Sequence, residues 1–390
     1  MTRRRVLHTI TTFAVSSGAA ENTKLTLNLL DRKCFEPFVA TTPGQSMDAE
    51  VAPDVVRLPA RWLRRSISPA ADMRAFVELY RLIRRFRFDI VHTHNAKDGI
   101  LARWAAHLAG VPAIVHTIHN VSFQASRSSI INWIYARHEA WASRVTERLL
   151  SVSSELTAKC LKMGIGRPDQ YRTVYSGLDL ARYADDGRPP AELRAALRLP
   201  DRSGPWVGWL GRFNSQKDPL TFIRAAHLVA KDVPGVQFVV CGDDPLRISL
   251  EDTARVLAVE LGLADAMHFL GFRRDVSIVL RSVDVVMHSS RYEGMGRVVC
   301  EALACERPVA GTAVDGVVEA IDSGRRGGLL VPCGDPAALA HATIRLLENK
   351  GLAQALARAG REWVERTLSA EEMVRTIEQV YRDLLKVSAR

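Results

Sequence analysis

The sequence predicts an α/β protein of two domains, each a doubly wound parallel sheet, and three observations predict it. The chain has 390 residues, beyond the roughly 250 to 300 at which a single core stops growing. Short strand-like runs alternate with helical periodicities along its length, the pattern by which crossover helices build a parallel sheet. Near the middle, Asp179 to Pro205 turns polar and rich in Pro, Gly and Asp (ADDGRPP, LPDRSGP), as a linker does. The expected domains are residues 1–190 and 191–369.

The elements follow in order. RRRVLHTI reads as a strand, Ser16–Ala19 as a small-residue turn, a helix starts near Ala20, and FEPFVATT is the next strand. Met73, Phe76, Val77, Tyr80 and Ile83 recur at helical spacing, which places most neighbouring arginines on an opposite, solvated face. FDIVHTHN is a strand, Gly99–Ala109 a helix, PAIVHTIHN a strand and Ile130–Leu149 a long helical stretch. LLSVSS, a further helix and YRTVYSGLD close the first half. The second half repeats the alternation: WVGWLGR, a helix Pro219–Lys231, VQFVVCG, a helix Ser249–Leu261, AMHFLG, a helix near Asp275–Arg281 and VDVVMHSS. A helix Gly296–Cys305, the strand PVAGTAV, a short helix and the strand GGLLVP follow. The last helix carries a capping box, Ser369 with Glu372, and the apolar stripe Val374, Ile377, Tyr381 and Leu384.

Composition narrows the function classes. At 47% hydrophobic and 25% charged, the chain is neither disordered nor a coiled coil. No run of 18 apolar residues occurs, the first fifteen residues lack a clean signal core, and the six cysteines show no C-x-x-C spacing. A cytoplasmic location follows as the expectation. Residues 1–190 hold 27 Lys and Arg against 17 Asp and Glu, whereas 191–390 hold 26 of each, so the whole excess of +10 sits in the first half. Arg57 to Phe88 alone carries nine arginines against Asp72 and Glu78. An anionic membrane surface or a phosphate-bearing acceptor suits such a segment. Nucleic acid is not expected, because no basic-aromatic platform or helix-turn-helix pattern accompanies the charge.

The densest constellation is SSRYEGMGRVVCEALACERPV, Ser289 to Val309. A strand ends, a glycine-broken turn follows, and a helix begins near Gly296 with Glu293 before it and Glu301 inside it. Ligands bind outside the carboxyl ends of parallel strands, free N–H groups at a helix start attract phosphate, and carboxylates hold sugar hydroxyls. The competing reading has Glu301 paired with Arg297 and Glu293 as a surface turn residue. In GWLGRFNSQKDP, Gly211 ends a strand and Arg212 and Lys217 sit five apart before a helix start, two cations suited to a departing diphosphate. In VVCGDDPLR, Gly242 marks a tight turn after a strand.

Together, GRFNSQKDP, CGDDPLR, HFLGFRRDV, EGMGRVVCEALACERPVAGTAVDGVVEAI and GGLLVPCGDPAALA resemble the donor half of the GT-B retaining glycosyltransferases of family 4. VLHTI with its turn and Glu21, DIVHTHNAKDGILARWAAHLAGVPAIVHTIHN and VYSGLD extend the resemblance through the first half, over residues 5–385. It implies two Rossmann-like domains facing a central cleft, the first binding acceptor and the second a nucleotide diphospho-sugar, with the C-terminal helix 370–388 crossing back to the first. It further implies Glu293 at the donor sugar, Glu301 at the ribose, and Arg212 and Lys217 at the diphosphate. The backbone of Gly294, Met295 and Gly296 would face sugar and phosphates, His119 would approach the sugar, and the turn at Gly18 would close over the diphosphate. The base would be read by backbone and shape around Leu270, Gly271 and Phe272. The sequence departs from the family at the single-glycine turn SSGAAE, at Met295, and at Glu306-Arg307.

The implied activity is retaining transfer of a hexose from a UDP-sugar, or a GDP-sugar, to an acceptor hydroxyl, with a lipid-linked saccharide in cell-surface polysaccharide synthesis as the expected acceptor. Alternatives are a GT-B sugar 2-epimerase and a non-catalytic nucleotide-sugar-binding subunit. No cofactor or metal is expected, since no D-x-D occurs to hold a metal-bound diphosphate. His92, His94, His116 and His119 lie on two strands with H-x-H and H-x-x-H spacing. Successive strand residues point to opposite faces and no Cys is near, so zinc is not expected, and His92 and His94 are expected to shape the sheet edge and cleft.

Overall fold

The computed structural model describes residues 3–14, 17–44, 47, 50–64, 66–120, 128–242 and 249–388. The chain forms two compact units, Met1–Gly177 with Leu368–Arg390, and Leu178–Thr367. Residues 178–190, read above as part of the first domain, therefore belong to the second unit. The reason is local: Tyr183 is buried there, with its hydroxyl on Glu301, and Arg281 pairs with Asp185 and Asp186.

The first unit contains β1 (Arg4–Thr9), α1 (Gly18–Leu29), β2 (Phe35–Thr41), β3 (Val56–Pro59), α2 (Pro69–Phe86), β4 (Ile90–His94) and α3 (Ala96–Leu108). It continues with β5 (Ala113–Ile118), α4 (Ser129–Ser143), β6 (Arg148–Ser151), α5 (Ser154–Lys162) and β7 (Tyr171–Thr173). The second unit contains α6 (Pro190–Ala196), β8 (Trp206–Leu210), α7 (Pro219–Asp232), β9 (Gln237–Cys241), α8 (Glu251–Glu260), β10 (Met267–Gly271) and α9 (Val276–Arg281). Then come β11 (Val285–His288), α10 (Arg297–Ala304), β12 (Val309–Thr312), α11 (Val317–Ala320), β13 (Gly328–Val331), α12 (Pro336–Glu348) and α13 (Lys350–Thr367). The last helix, α14 (Ala370–Ser388), returns to the first unit.

The strand order is β3-β2-β1-β4-β5-β6-β7 in one sheet and β10-β9-β8-β11-β12-β13 in the other, and the strand pairs are parallel. Each order reverses once, between β1 and β4 and between β8 and β11, the position at which open parallel sheets place ligands outside their strand carboxyl ends. Two-residue periodicity assigns the faces of the first sheet. Leu7, Val91 and Ile114 pack with α2 and α3, whereas Val6, Ile90 and Val115 pack under Met373, Ile377 and Tyr381 of α14. In the second unit Val207, Trp209, Phe238, Val240 and Met287 form the core with α7, α8 and α12.

Four element readings change. The basic segment contains β3, which the arginines masked. Helix α2 buries Ala71, Ala75, Leu79 and Ile83, so of the expected stripe only Ile83 is fully buried; Met73 is exposed and Phe76, Val77 and Tyr80 are half-buried. Strict i, i+4 spacing of two small and two branched residues lets α2 lie close to the sheet. Helix α4 stops at Ser143, because residues up to Leu149 already include the start of β6. Helices α12 and α13, capped in the first case by Asp335 with Pro336 behind it, were not anticipated.

This register predicts that Leu79→Ala lowers the unfolding free energy of the chain by about 2 to 5 kcal/mol, while Met73→Ala changes it by less than about 0.5 kcal/mol. Urea titration of both variants checks it, and equal costs would show the wrong face.

Candidate active site

In the second unit the loop leaving β8 and the loop leaving β11 meet at the reversal of strand order. Backbone and side chains knit them together. Arg291 N–H donates to the Gln216 carbonyl at 2.8 Å, and Gln216 Nε2 donates to the Tyr292 carbonyl at 3.1 Å. Ser289 Oγ lies 2.8 Å from the Lys217 carbonyl and accepts from Trp209 Nε1 at 3.0 Å. Arg291 pairs with Asp218, which holds a left-handed conformation (φ 47°) and caps α7 through Thr221.

This knitting places the Lys217 ammonium on the Glu293 carboxylate, an ion pair between a half-buried lysine and a buried glutamate. Ser290 Oγ donates to the same oxygen, Glu293 Oε1, at 2.7 Å and His288 Nε2 approaches it at 3.3 Å. The Glu293 N–H is held by Asp315 Oδ2 at 2.8 Å. Burial by itself would raise the Glu293 pKa, but the ammonium of Lys217 and the His288 hydrogen bond outweigh it and hold the carboxyl well below its usual range. Burial lowers His288, and its Nδ1 is buried without a partner.

Glu301 lies on α10, one turn inside, where Oε1 accepts from Arg297 Nε and from the Tyr183 hydroxyl, both at 2.9 Å. The Arg297 pairing set against the ribose reading is therefore present, together with a second donor. Gly296 precedes α10 with φ 74°, and a Cβ there would stand 2.7 Å from Val317, which fixes glycine at the position. Met295 is buried beside it. Gly211, Gly242 and Gly271 end β8, β9 and β10 side by side: Gly211 N–H donates to the Cys241 carbonyl and Gly242 N–H to the Gly271 carbonyl. A Cβ on Gly242 would lie 1.9 Å from the Gly211 carbonyl oxygen. Leu270 is half-buried at the end of β10. Arg212 reaches Gln216 Oε1 at 3.5 Å. The stretch following Gly242, DDPLRI, lies outside the described residues.

In the first unit Gly18 is the first residue of α1, behind the cap Ser17, so the helix starts two residues before the expected Ala20; Ser16 of the expected turn lies outside the described residues. His119 follows β5, half-buried, with Nε2 2.9 Å from His94 Nδ1; burial lowers its pKa to about 4. His92 and His94 lie at the centre of the sheet, not at an edge, because β4 pairs with both β1 and β5. His116 points to the other face, against Thr93 and Gly99.

Of the residues in these contacts, Glu293, Glu301, Arg212 and Lys217 were named from the sequence, and Gln216, His288, Ser290, Asp315 and Tyr183 were passed over. Ser289-Ser290 and the Asp315 turn were inside quoted motifs. Tyr183 had no local signal.

Comparison with known proteins follows this geometry. Solved structures with the same two-unit architecture include Anabaena HepE in complex with UDP-glucose (18% identity, TM-score 0.82, covering 97% of this chain and 99% of that one). Sucrose-phosphate synthase of Thermosynechococcus elongatus matches at 23% identity and TM-score 0.82, covering 99% and 100%. The fold is thus that of the GT-B glycosyltransferases. Residues 17–182 match Glycosyltransferase Family 4 and residues 204–349 match Glycosyl transferases group 1. An Escherichia coli relative, UDP-Gal:alpha-D-GlcNAc-diphosphoundecaprenol alpha-1,3-galactosyltransferase, is 30% identical over 292 residues, 74% of each chain. The putative glycosyltransferase EpsD of Bacillus subtilis is 29% identical over 328 residues, 82% of each. The chain belongs to this group 1 family of glycosyltransferases.

The depressed Glu293 pKa carries a pH signature. A lowered folded-state pKa contributes stability that is full above the ordinary value of 4.5 and is lost as pH falls through the folded value. Glu293→Gln is therefore predicted to be less stable than wild type at pH 7, with the deficit narrowing below pH 4.5. Denaturant titration from pH 3.5 to 7 checks it; a deficit independent of pH would contradict the ion pair.

Proposed function

We propose that this glycosyltransferase moves a hexose from a UDP-sugar to a hydroxyl of a lipid-linked saccharide, with retention of configuration and without a metal ion. The observation that carries the reading is the ion pair of half-buried Lys217 with buried Glu293 at the strand-order reversal of the second unit, where α10 begins. A diphosphate arriving there competes for the ammonium. Lys217 then joins Arg212 on the phosphates, and Glu293, still held by His288 and Ser290, turns its released carboxylate to the sugar hydroxyls. Glu301 takes the ribose and His119 is assigned to the transferred sugar. As the anomeric bond to phosphate breaks, the two cations stabilise the departing charge. A phosphate oxygen accepts the proton of the attacking hydroxyl, and attack on the same face retains configuration.

The Escherichia coli relative, named for UDP-galactose and a diphosphoundecaprenol-linked acceptor, supports the UDP base and a lipid-linked acceptor for this chain. The surface of the first unit supports the same acceptor class. Arg74, Arg81, Arg84 and Arg85 stand exposed on α2. On α4, beyond α3 in the same helical layer, Ile130, Trp133, Ile134 and Trp141 are exposed along one face. No helix among the described residues is long and apolar enough to cross a membrane. Peripheral attachment to the anionic inner face of the cytoplasmic membrane, through Arg57–Arg87 and the α4 face, is the proposed location.

Three outcomes are expected. In a thermal-shift panel UDP and one UDP-sugar stabilise the protein, by about 2.7 kcal/mol at 100 times Kd, whereas GDP and ADP do not; no response to any nucleotide would overturn the reading. Lys217→Ala and Glu293→Gln each reduce sugar transfer at least a hundredfold while remaining folded, and the product anomer matches the donor. Sedimentation with phosphatidylglycerol vesicles exceeds that with phosphatidylcholine, and exchanging Arg81, Arg84 and Arg85 for Gln removes about 1 kcal/mol per residue. Binding indifferent to anionic lipid would remove the membrane arm alone.

A further inference from the structure

Histidines at the strand-order reversal of the first unit do more than fill space. Two-residue periodicity puts His8 of β1, His92 and His94 of β4, Thr117 of β5 and then His119 on the face that α14 covers. There they make one continuous chain of hydrogen bonds. Thr117 Oγ1 meets His92 Nε2 at 2.6 Å, and His92 Nδ1 meets the Tyr381 hydroxyl at 2.6 Å. That hydroxyl lies 3.4 Å from His8 Nε2, His8 Nδ1 lies 3.0 Å from His94 Nε2, and His94 Nδ1 lies 2.9 Å from His119 Nε2. Consecutive rings also stack, with centroids 5.3 Å apart for His8 and His94 and 5.2 Å for His94 and His119.

The rings are neutral: burial lowers His8 to about 3 and His119 to about 4, and takes His92 and His94 far below the ordinary imidazole value. A neutral imidazole has one donor nitrogen and one acceptor nitrogen. Each ring link therefore dictates the tautomer of the next ring, and with the buried Tyr381 hydroxyl donating to one of its two imidazoles the chain has only two consistent settings, with the protons running toward Thr117 or toward His119. The Nδ1 of His119 is a bare acceptor in the first setting and a donor in the second.

We propose that Thr117, His92, Tyr381, His8 and His94 are a neutral hydrogen-bond relay that fixes the tautomer and ring orientation of His119, which makes Tyr381 of the last helix and His8 positioning residues for glycosyl transfer. The proposal rests on the assignment of His119 to the transferred sugar. His8, His92 and His94 also offer ring nitrogens within 4.8 Å of one another, as a metal site would require. All six of those nitrogens already face a protein partner in the relay, and an ion would have to displace them, so the relay is the reading the geometry favours.

The test starts with the wild-type chain, labelled at its histidine ring nitrogens. At pH 7 the four rings are expected to show one protonated and one bare nitrogen each, in a single tautomer. A doubly protonated ring, or one equivalent of zinc, nickel or copper in the purified protein by elemental analysis, would overturn the relay. Tyr381→Phe removes only the linking hydroxyl and keeps the ring packed edge-on to Phe35. It is expected to alter the ring signals of His119 as well as those of His8 and His92. It should also lower kcat about tenfold, a change of about 1.4 kcal/mol, with KM within twofold, read as UDP release from the UDP-sugar selected by the nucleotide panel. Phe35→Leu, which loosens the packing of Tyr381 without breaking a link, should lower the melting temperature and leave kcat and the ring signals unchanged. Unchanged His119 signals and wild-type kcat in Tyr381→Phe, with His119→Ala inactive, would overturn the relay alone. Wild-type kcat in His119→Ala would overturn the sugar assignment and with it the positioning role.

Discussion

The second unit depends on one interaction at its strand ends, the ion pair of half-buried Lys217 with buried Glu293. The buried carboxylate keeps its charge there because additional donors, Ser290 and His288, share it with the ammonium. The pair also fixes what surrounds it. A carboxylate can meet an ammonium from a different loop only if the two loops are adjacent, and the adjacency of β8 and β11 is what the strand order supplies. Gly211 leaves room for the Lys217 stem, since a Cβ there would stand 3.2 Å from its Cγ. The pair couples the loops, and in the proposed reaction a diphosphate that takes Lys217 frees Glu293.

The first unit reaches its own strand-order reversal by a different chemistry. At the ends of β1 and β4 it gathers neutral imidazoles where the second unit gathers opposite charges. Both solutions satisfy buried polar groups completely or nearly so, which the low dielectric of a sheet interior demands. Hydrogen bonds among imidazoles do this without net charge, and α14 closes the set with a tyrosine hydroxyl, so the C-terminal helix contributes a polar link as well as apolar cover.

Much of this was legible in the sequence for a physical reason: parallel strands buried on both faces read as apolar runs, and the turns after them need glycine. The α/β alternation, the glycines at 211, 242 and 296, and the four charged residues in two motifs all follow from such local requirements. What escaped depends on contacts distant along the chain. Tyr183 reaches Glu301 across 118 positions and Asp315 holds the Glu293 backbone from a neighbouring turn. Strand periodicity read along the sequence scatters the histidines over both faces, but in the structure it sets only His116 apart. The same periodicity, carried across strands, unites His8, His92, His94 and His119, and that step needs the strand order. The stripe on α2 shifted because Ala71 and Ala75, small and easily overlooked, face the sheet in place of Met73.

The claim that diphosphate takes Lys217 from Glu293 is tested most directly by the affinity for UDP, which carries no sugar for Glu293 to hold. Calorimetric titration of UDP into wild type, Lys217→Ala and Glu293→Gln separates the partners. The account predicts that Lys217→Ala weakens binding about tenfold or more, while Glu293→Gln, which releases the ammonium, binds UDP at least as tightly as wild type. A Glu293→Gln variant that loses UDP as severely as Lys217→Ala would contradict it.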